Sequence, residues 1–155
     1  MALYGLHQRE SAKHVPLGQE IVANSTILNR NDPVTLDTDG FLILAGAGLR
    51  ILGIMNEAYT AAADNETSLR YKAQFIEVDS SDLYEMDADD TITDTHRGMY
   101  GDVTGTTGAV LLDQSTLADA TGQVRVAVLD PLQESSTTRV LVNVSELEAL
   151  AYTQD

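Results

Sequence analysis

Apolar and polar residues alternate most regularly along Gln123-Val-Arg-Val-Ala-Val-Leu-Asp130, where Val124, Val126 and Val128 share one parity and Arg125 takes the other. A period of two over this length marks a half-buried strand. Thr138-Arg-Val-Leu-Val-Asn-Val144 has the same character and is expected to pair with it across Pro131–Thr137. Pro33-Val-Thr-Leu36 and Phe41-Leu-Ile-Leu44 flank Asp37-Thr-Asp-Gly40, two β-prone runs around a glycine-ended loop, which predicts a hairpin. Further strands are expected at Gln19–Ala23, Arg50–Met55, Arg70–Val78 and Ala109–Asp113. Within the second of these, Gly53 signals a bulge or a close backbone approach. Ser145-Glu-Leu-Glu148 fits a capping box and predicts a short helix through about Ala151.

Three stretches lack such a pattern. Residues 1–19 show neither helical nor strand periodicity, are broken by Pro16 and Gly18, and are expected to form an N-terminal arm. Glu57–Ser68 is polar and Ala-rich, a loop with room for one helical turn. Residues 79–107 run acidic and glycine-rich and are expected to form a long excursion from the body. Short strands joined by local turns argue an all-β fold, a small barrel or sandwich. The expected organisation is an arm over 1–19 and a single β domain over 20–155. Its core is predicted at Val34, Leu36, Leu42, Leu44, Ile51, Ile54, Phe75, Val110, Leu112, Val124, Val126, Val128, Val140, Val142 and Val144.

Charge changes this picture more than composition does. The chain has 155 residues, 24 Asp and Glu against 9 Lys and Arg, and a net charge of −15. Phosphate-backbone affinity rests on Lys and Arg, so nucleic acid is not an expected partner. An anionic membrane surface is disfavoured for the same reason, and no apolar run reaches the length of a bilayer span. Solubility at high concentration is the plainest use of such a charge. Residues 1–30 stand apart: Arg9, Lys13 and Arg30 outnumber Glu10 and Glu20, against a strongly acidic remainder. With no cysteine, disulfides and thiolate metal sites are excluded. The first residues lack the basic-then-apolar pattern of a secretory signal, so synthesis in a cytoplasm is expected.

Catalytic chemistry has little to draw on. The imidazoles are His7, His14 and His96, and no nucleophile elbow or zinc-protease helix is present. Gly46-Ala-Gly48-Leu-Arg-Ile51 opens like a dinucleotide fingerprint, but Ile51 holds its third glycine position, so it reads as a turn. Asp87, Asp89, Asp90 and Asp94 are candidate ligands for a hard cation, although Ile92 stands where an EF-hand needs glycine. A solvated acidic loop is the preferred reading there. No cofactor and no enzymatic activity are expected.

Several features taken in order resemble the small β-barrel decoration (cement) proteins of tailed-bacteriophage capsids. They are Val15-Pro-Leu-Gly18, Asp32-Pro-Val-Thr-Leu-Asp-Thr-Asp-Gly40 and Ile51-Leu-Gly53, then Gly105-Thr-Thr-Gly-Ala-Val-Leu-Leu-Asp-Gln-Ser115 and Gly122-Gln-Val-Arg-Val-Ala-Val-Leu-Asp-Pro131. The resemblance spans about residues 15–145 and is one of pattern and order. It implies a non-enzymatic virion protein on the outer capsid face, partnered by the major capsid protein and by itself, commonly as a trimer, and clamping adjacent subunits through an extended arm. The arm would then make contact through Leu3, Tyr4, Leu6, Arg9, Lys13 and Val15. Removing residues 2–15 is expected to weaken attachment while leaving the melting temperature nearly unchanged. The alternatives are another virion component, such as a head-fibre base or head–tail connector, and a free-standing ligand-binding β-barrel.

Overall fold

The computed structural model describes residues 3–10, 17–68, 72–129 and 137–145. In chain order the strands are β1 (His7–Glu10), β2 (Leu17–Glu20), β3 (Ile27–Leu28), β4 (Pro33–Leu36), β5 (Leu42–Leu44), β6 (Gly53–Met55), β7 (Tyr59–Thr60) and β8 (Ala73–Glu77). There follow β9 (Leu83–Ile92), β10 (Tyr100–Gly101), β11 (Val103–Thr104), β12 (Leu111–Leu112), β13 (Val124–Leu129) and β14 (Thr137–Val144). A single α-helical turn, α1 (Asn65–Ser68), falls within the polar stretch where one turn was expected.

The larger sheet runs β10–β13–β14–β9–β12–β11, with β1 alongside β9. Its two end strands, β10 and β11, are consecutive in the chain, with Asp102 alone between them. Residues 100–104 therefore pair with β13 at one end and with β12 at the other, and the sheet nearly closes into a barrel. Every pairing is antiparallel except β12 with β9. β13 and β14 pair as their alternation predicts, Val124 opposite Val144 and Val126 opposite Val142. The register then slips before Val128↔Leu141, which makes Ala127 a bulge.

A second sheet, β2–β8–β6–β4–β5, is antiparallel throughout. The predicted hairpin is its β4–β5 pair. Asp37 closes that turn by accepting from the Asp39 and Phe41 amides, both at 2.9 Å, and Gly40 takes φ 87°. A short ribbon, β3–β7, completes the fold.

Two cores result. The barrel encloses Leu6, Tyr84, Met86, Ile92, Val103, Leu112, Val126 and Val142 among others. Beneath the second sheet lie Val22, Leu28, Val34, Leu42, Met55 and Phe75, and Leu44 touches both clusters. Gly18 and Gly53 both face the Phe75 ring, where an added Cβ would come to 2.3 Å and 2.4 Å. Close approach is thus the reason for Gly53. Of the predicted core, Leu36 and Leu44 are only half-buried, and the Val128 side chain lies outside the described residues.

Two expectations need correction. Residues 79–107 do not leave the body: they contain β9, the longest of the described strands, which pairs with β14 along one edge and with β1 and β12 along the other. Nor do residues 3–10 form an extended arm, since Leu6 is fully buried and β1 extends the barrel beside β9. The strand β2 begins at Leu17, inside the segment assigned to the arm. The helix expected from Glu146 to Ala151 falls outside the described residues.

Candidate functional site

The residues expected to reach a partner from the N-terminal segment fare differently. The Leu3 amide donates to Asp87 Oδ2 at 2.7 Å, and its carbonyl accepts from the Asp87 amide at 3.1 Å. Tyr4 is 45% exposed. Gly5 N–H donates to Val110 O and Leu6 N–H to Asn31 O, so the backbone on either side of the Leu6 side chain is pinned into the barrel. Gly5 adopts φ +76° with the Asn31 carbonyl where a Cβ would stand, which requires glycine. Leu6 is therefore not available to a partner. Arg9 lies in β1 but its side chain, like Lys13 and Val15 altogether, lies outside the described residues.

The four candidate metal ligands do not converge. Asp87 is buried and accepts from Arg139 Nε at 3.0 Å as well as from Leu3. Asp89 accepts from the Gln114 amide, Asp90 from the Thr91 amide, and Asp94 pairs with Arg97 at 3.1 Å. Among the described residues no three His, Asp or Glu side chains gather in a way that could hold a metal ion. The pairing of β9 with β14 slips between Asp87↔Arg139 and Ile92↔Thr137, which leaves the exposed Asp89, Asp90 and Thr91 bulged from the ladder. Of the imidazoles, His7 Nε2 donates to the Tyr4 carbonyl, and His96 Nδ1 accepts from the Thr93 amide within the single turn Asp94–His96. His14 falls outside the described residues.

Buried polar side chains bind loops to the barrel. Asp32, 1% exposed, accepts from the Asn29 amide at 2.7 Å, the Gly108 amide at 2.9 Å and the Thr107 hydroxyl at 2.5 Å. Two segments far apart in sequence, Asp32-Pro33 and Gly105–Gly108, thus meet at one carboxylate. Replacing Asp32 with Ala leaves three donors without an acceptor, each unmet buried bond costing about 1–3 kcal/mol. A loss of roughly 3–5 kcal/mol is expected in urea unfolding, with Asp32→Asn intermediate because it keeps one acceptor oxygen. Gln123 works the same way: its Nε2 donates to the Gly46 and Leu49 carbonyls and its Oε1 accepts from the Val103 amide.

Tyr84 is fully buried, and its hydroxyl accepts from the Asp79 amide at 3.2 Å. Burial is the main cause that pushes its phenol up to about 12. The bond from Asp79 opposes that shift, and the Asp82 and Asp79 carboxylates add to it. The folded value lies above the unfolded one, so the unfolded chain loses this proton first. The resulting stability is complete below about pH 10 and disappears as pH rises toward 12, about 2–3 kcal/mol in all. Alkaline titration followed at the phenolate absorbance should show one tyrosine ionising together with unfolding, and Tyr84→Phe should abolish that late step.

One end of the second sheet is the strand β2. Among the described residues β2 pairs with β8 alone, so its other edge carries open backbone donors and acceptors. Leu17 stands opposite Ile76, which stands opposite Ile54. Along this row Ile54 is buried in the barrel core, Ile76 is half-buried and Leu17 is 53% exposed. An apolar row thus runs outward to an open strand edge, a combination that soluble monomers tend to avoid. Ile27 on β3, also 53% exposed, and Leu49 are further exposed apolar side chains. The sequence places Leu17 next to Pro16 and Gly18, with no alternation to mark it as a strand residue; the ring contact of Gly18 is what seats the edge.

None of the described helices is long and apolar enough to cross a membrane. No protein-family model matches the chain, and comparison with curated proteins and with solved structures finds no match either.

Proposed function

We propose that this chain is a non-enzymatic structural module that decorates the outer surface of a tailed-bacteriophage capsid, docking on the major capsid protein, clamping adjacent subunits, and acting as a homo-oligomer, a trimer. The open β2 edge with its apolar row from Ile54 through Ile76 to Leu17 is the observation that carries this reading. Pairing to a partner strand would satisfy the edge amides and bury Leu17 in one step. The order of runs quoted for the decoration proteins supports it, as does a body whose excess of carboxylates keeps it soluble before assembly.

Attachment on this reading rests on the β-body, with exposed Tyr4 beside it, rather than on a free arm. Co-sedimentation with undecorated capsids tests it. Leu17→Asp should fold normally, because the side chain is already exposed, and should bind capsids at least tenfold more weakly, as expected of a buried interface anchor. Unimpaired binding by Leu17→Asp would remove the β2 edge from the interface. Failure of the intact chain to sediment with capsids would end the capsid reading itself.

A further inference from the structure

A cleft of about 350 Å³ opens where the two sheets meet. Arg50 and Ile51 come from the approach to β6, Val78, Asp79 and Ser80 from the exit of β8, and Val144 from the end of β14. Its size falls within the range of small-molecule sites, and seams between packed units are where such sites concentrate. Three apolar side chains lie at its base: Ile51 and Val144 show only their edges, at 2% and 5% exposed, and half-buried Val78, packed against the barrel core, shows more.

Arg50 gives the cleft its chemistry. It is half-buried, yet it has no ion pair and no hydrogen bond among the described residues. Arg139, the other half-buried cation among the described residues, is by contrast held between Asp87 at 3.0 Å and Glu85 at 3.8 Å. Asp79 shares the cleft, but its Oδ1 accepts from the Ser81 amide and hydroxyl. A guanidinium offers a planar fork that a carboxylate fills with two parallel bonds. Asp79 sets a limit on the other side, since a dianion at Arg50 would also meet a fixed negative charge. At physiological salt the Debye length is about 8 Å, so these near groups outweigh the distant net charge.

We propose that this cleft binds a monocarboxylate carrying a medium-length aliphatic chain, its carboxylate on Arg50 and its chain over Ile51, Val78 and Val144. The site is independent of the capsid reading and of the β2 edge. The test is a titration of the full-length, ¹⁵N-labelled chain with octanoate, followed by amide shifts, with octylammonium, octan-1-ol and inorganic phosphate as parallel probes at fixed ionic strength. Saturable shifts confined to residues 50–52, 78–80 and 144–145 are expected with octanoate. The alcohol should bind at least tenfold more weakly, and the ammonium and phosphate should not saturate the site. Arg50→Gln should weaken octanoate at least tenfold with an unchanged melting temperature. The absence of saturable shifts with octanoate overturns the proposal. So does equal binding of octylammonium or phosphate, or octanoate affinity that survives Arg50→Gln.

Discussion

Deletion of residues 2–10 is expected to abolish cooperative folding rather than to leave a stable body without an arm. The segment buries Leu6 completely in the barrel core. Its backbone supplies the Leu3–Asp87 pair of hydrogen bonds, the Gly5 bond to Val110, the Leu6 bond to Asn31 and the β1–β9 ladder. Gln8 Nε2 also donates to Asp82, itself buried, at 2.9 Å. Emptying the Leu6 site alone costs about 2–5 kcal/mol. Each buried partner left unmet adds about 1–3 kcal/mol. Together these losses rival the roughly 5–15 kcal/mol that holds a typical domain folded. Two point variants make the result specific. Leu6→Ala should lower the melting temperature by roughly 5–20 °C, whereas Tyr4→Ala, at an exposed position, should change stability by only about 0.5 kcal/mol. A truncated chain that melts like the intact one would return residues 2–10 to the role of a dispensable arm.

Val126→Asp should likewise prevent folding. Val126 is fully buried, sits opposite Val142, and immediately precedes the β13 bulge, so the chain cannot slip register there without exposing the neighbouring valines. An aspartate at that site is an unpaired charge in an apolar barrel, and it must either ionise at prohibitive cost or stay protonated without a partner. The matched control is Arg125→Asp, one residue away on the exposed parity, with an expected effect of roughly 0.5 kcal/mol. Dispersed amide spectra from Val126→Asp, or collapse of Arg125→Asp, would show the parity to be reversed.

The residues explain which parts of this fold could be read from sequence. The β4–β5 hairpin was legible because apolar parity and turn chemistry agree locally, Asp37 and Gly40 making the turn that the flanking runs require, and the β13–β14 pair because both strands keep apolar parity. β9 was hidden although Tyr84, Met86, Ala88 and Ile92 keep a period of two. Carboxylates hold the intervening positions, the buried Asp87 among them, and the bulge at Asp89–Thr91 interrupts the alternation before Ile92, where charge is densest. The partners that make this acidic strand tolerable, Arg139 and the Leu3 amide, come from the two ends of the chain and leave no local trace.

Leu6 was missed for a related reason. One buried side chain flanked by glycine and a polar strand has no periodicity, and its place is set by Asn31 and Val110, far along the chain. The partner-facing row was illegible too. Leu17, Ile76 and Ile54 become neighbours only when β2, β8 and β6 align, and from sequence Leu17 belonged to an arm. The cleft at Arg50 draws on three separate segments and has no motif at all.

Electron cryomicroscopy of capsids incubated with the purified chain tests the functional proposal most directly. The account predicts three copies around a local symmetry axis on the outer face, each a barrel with the β2 edge and Leu17 turned against a capsid subunit. Capsids that remain bare, or density for the chain confined to the portal or the interior, would contradict it.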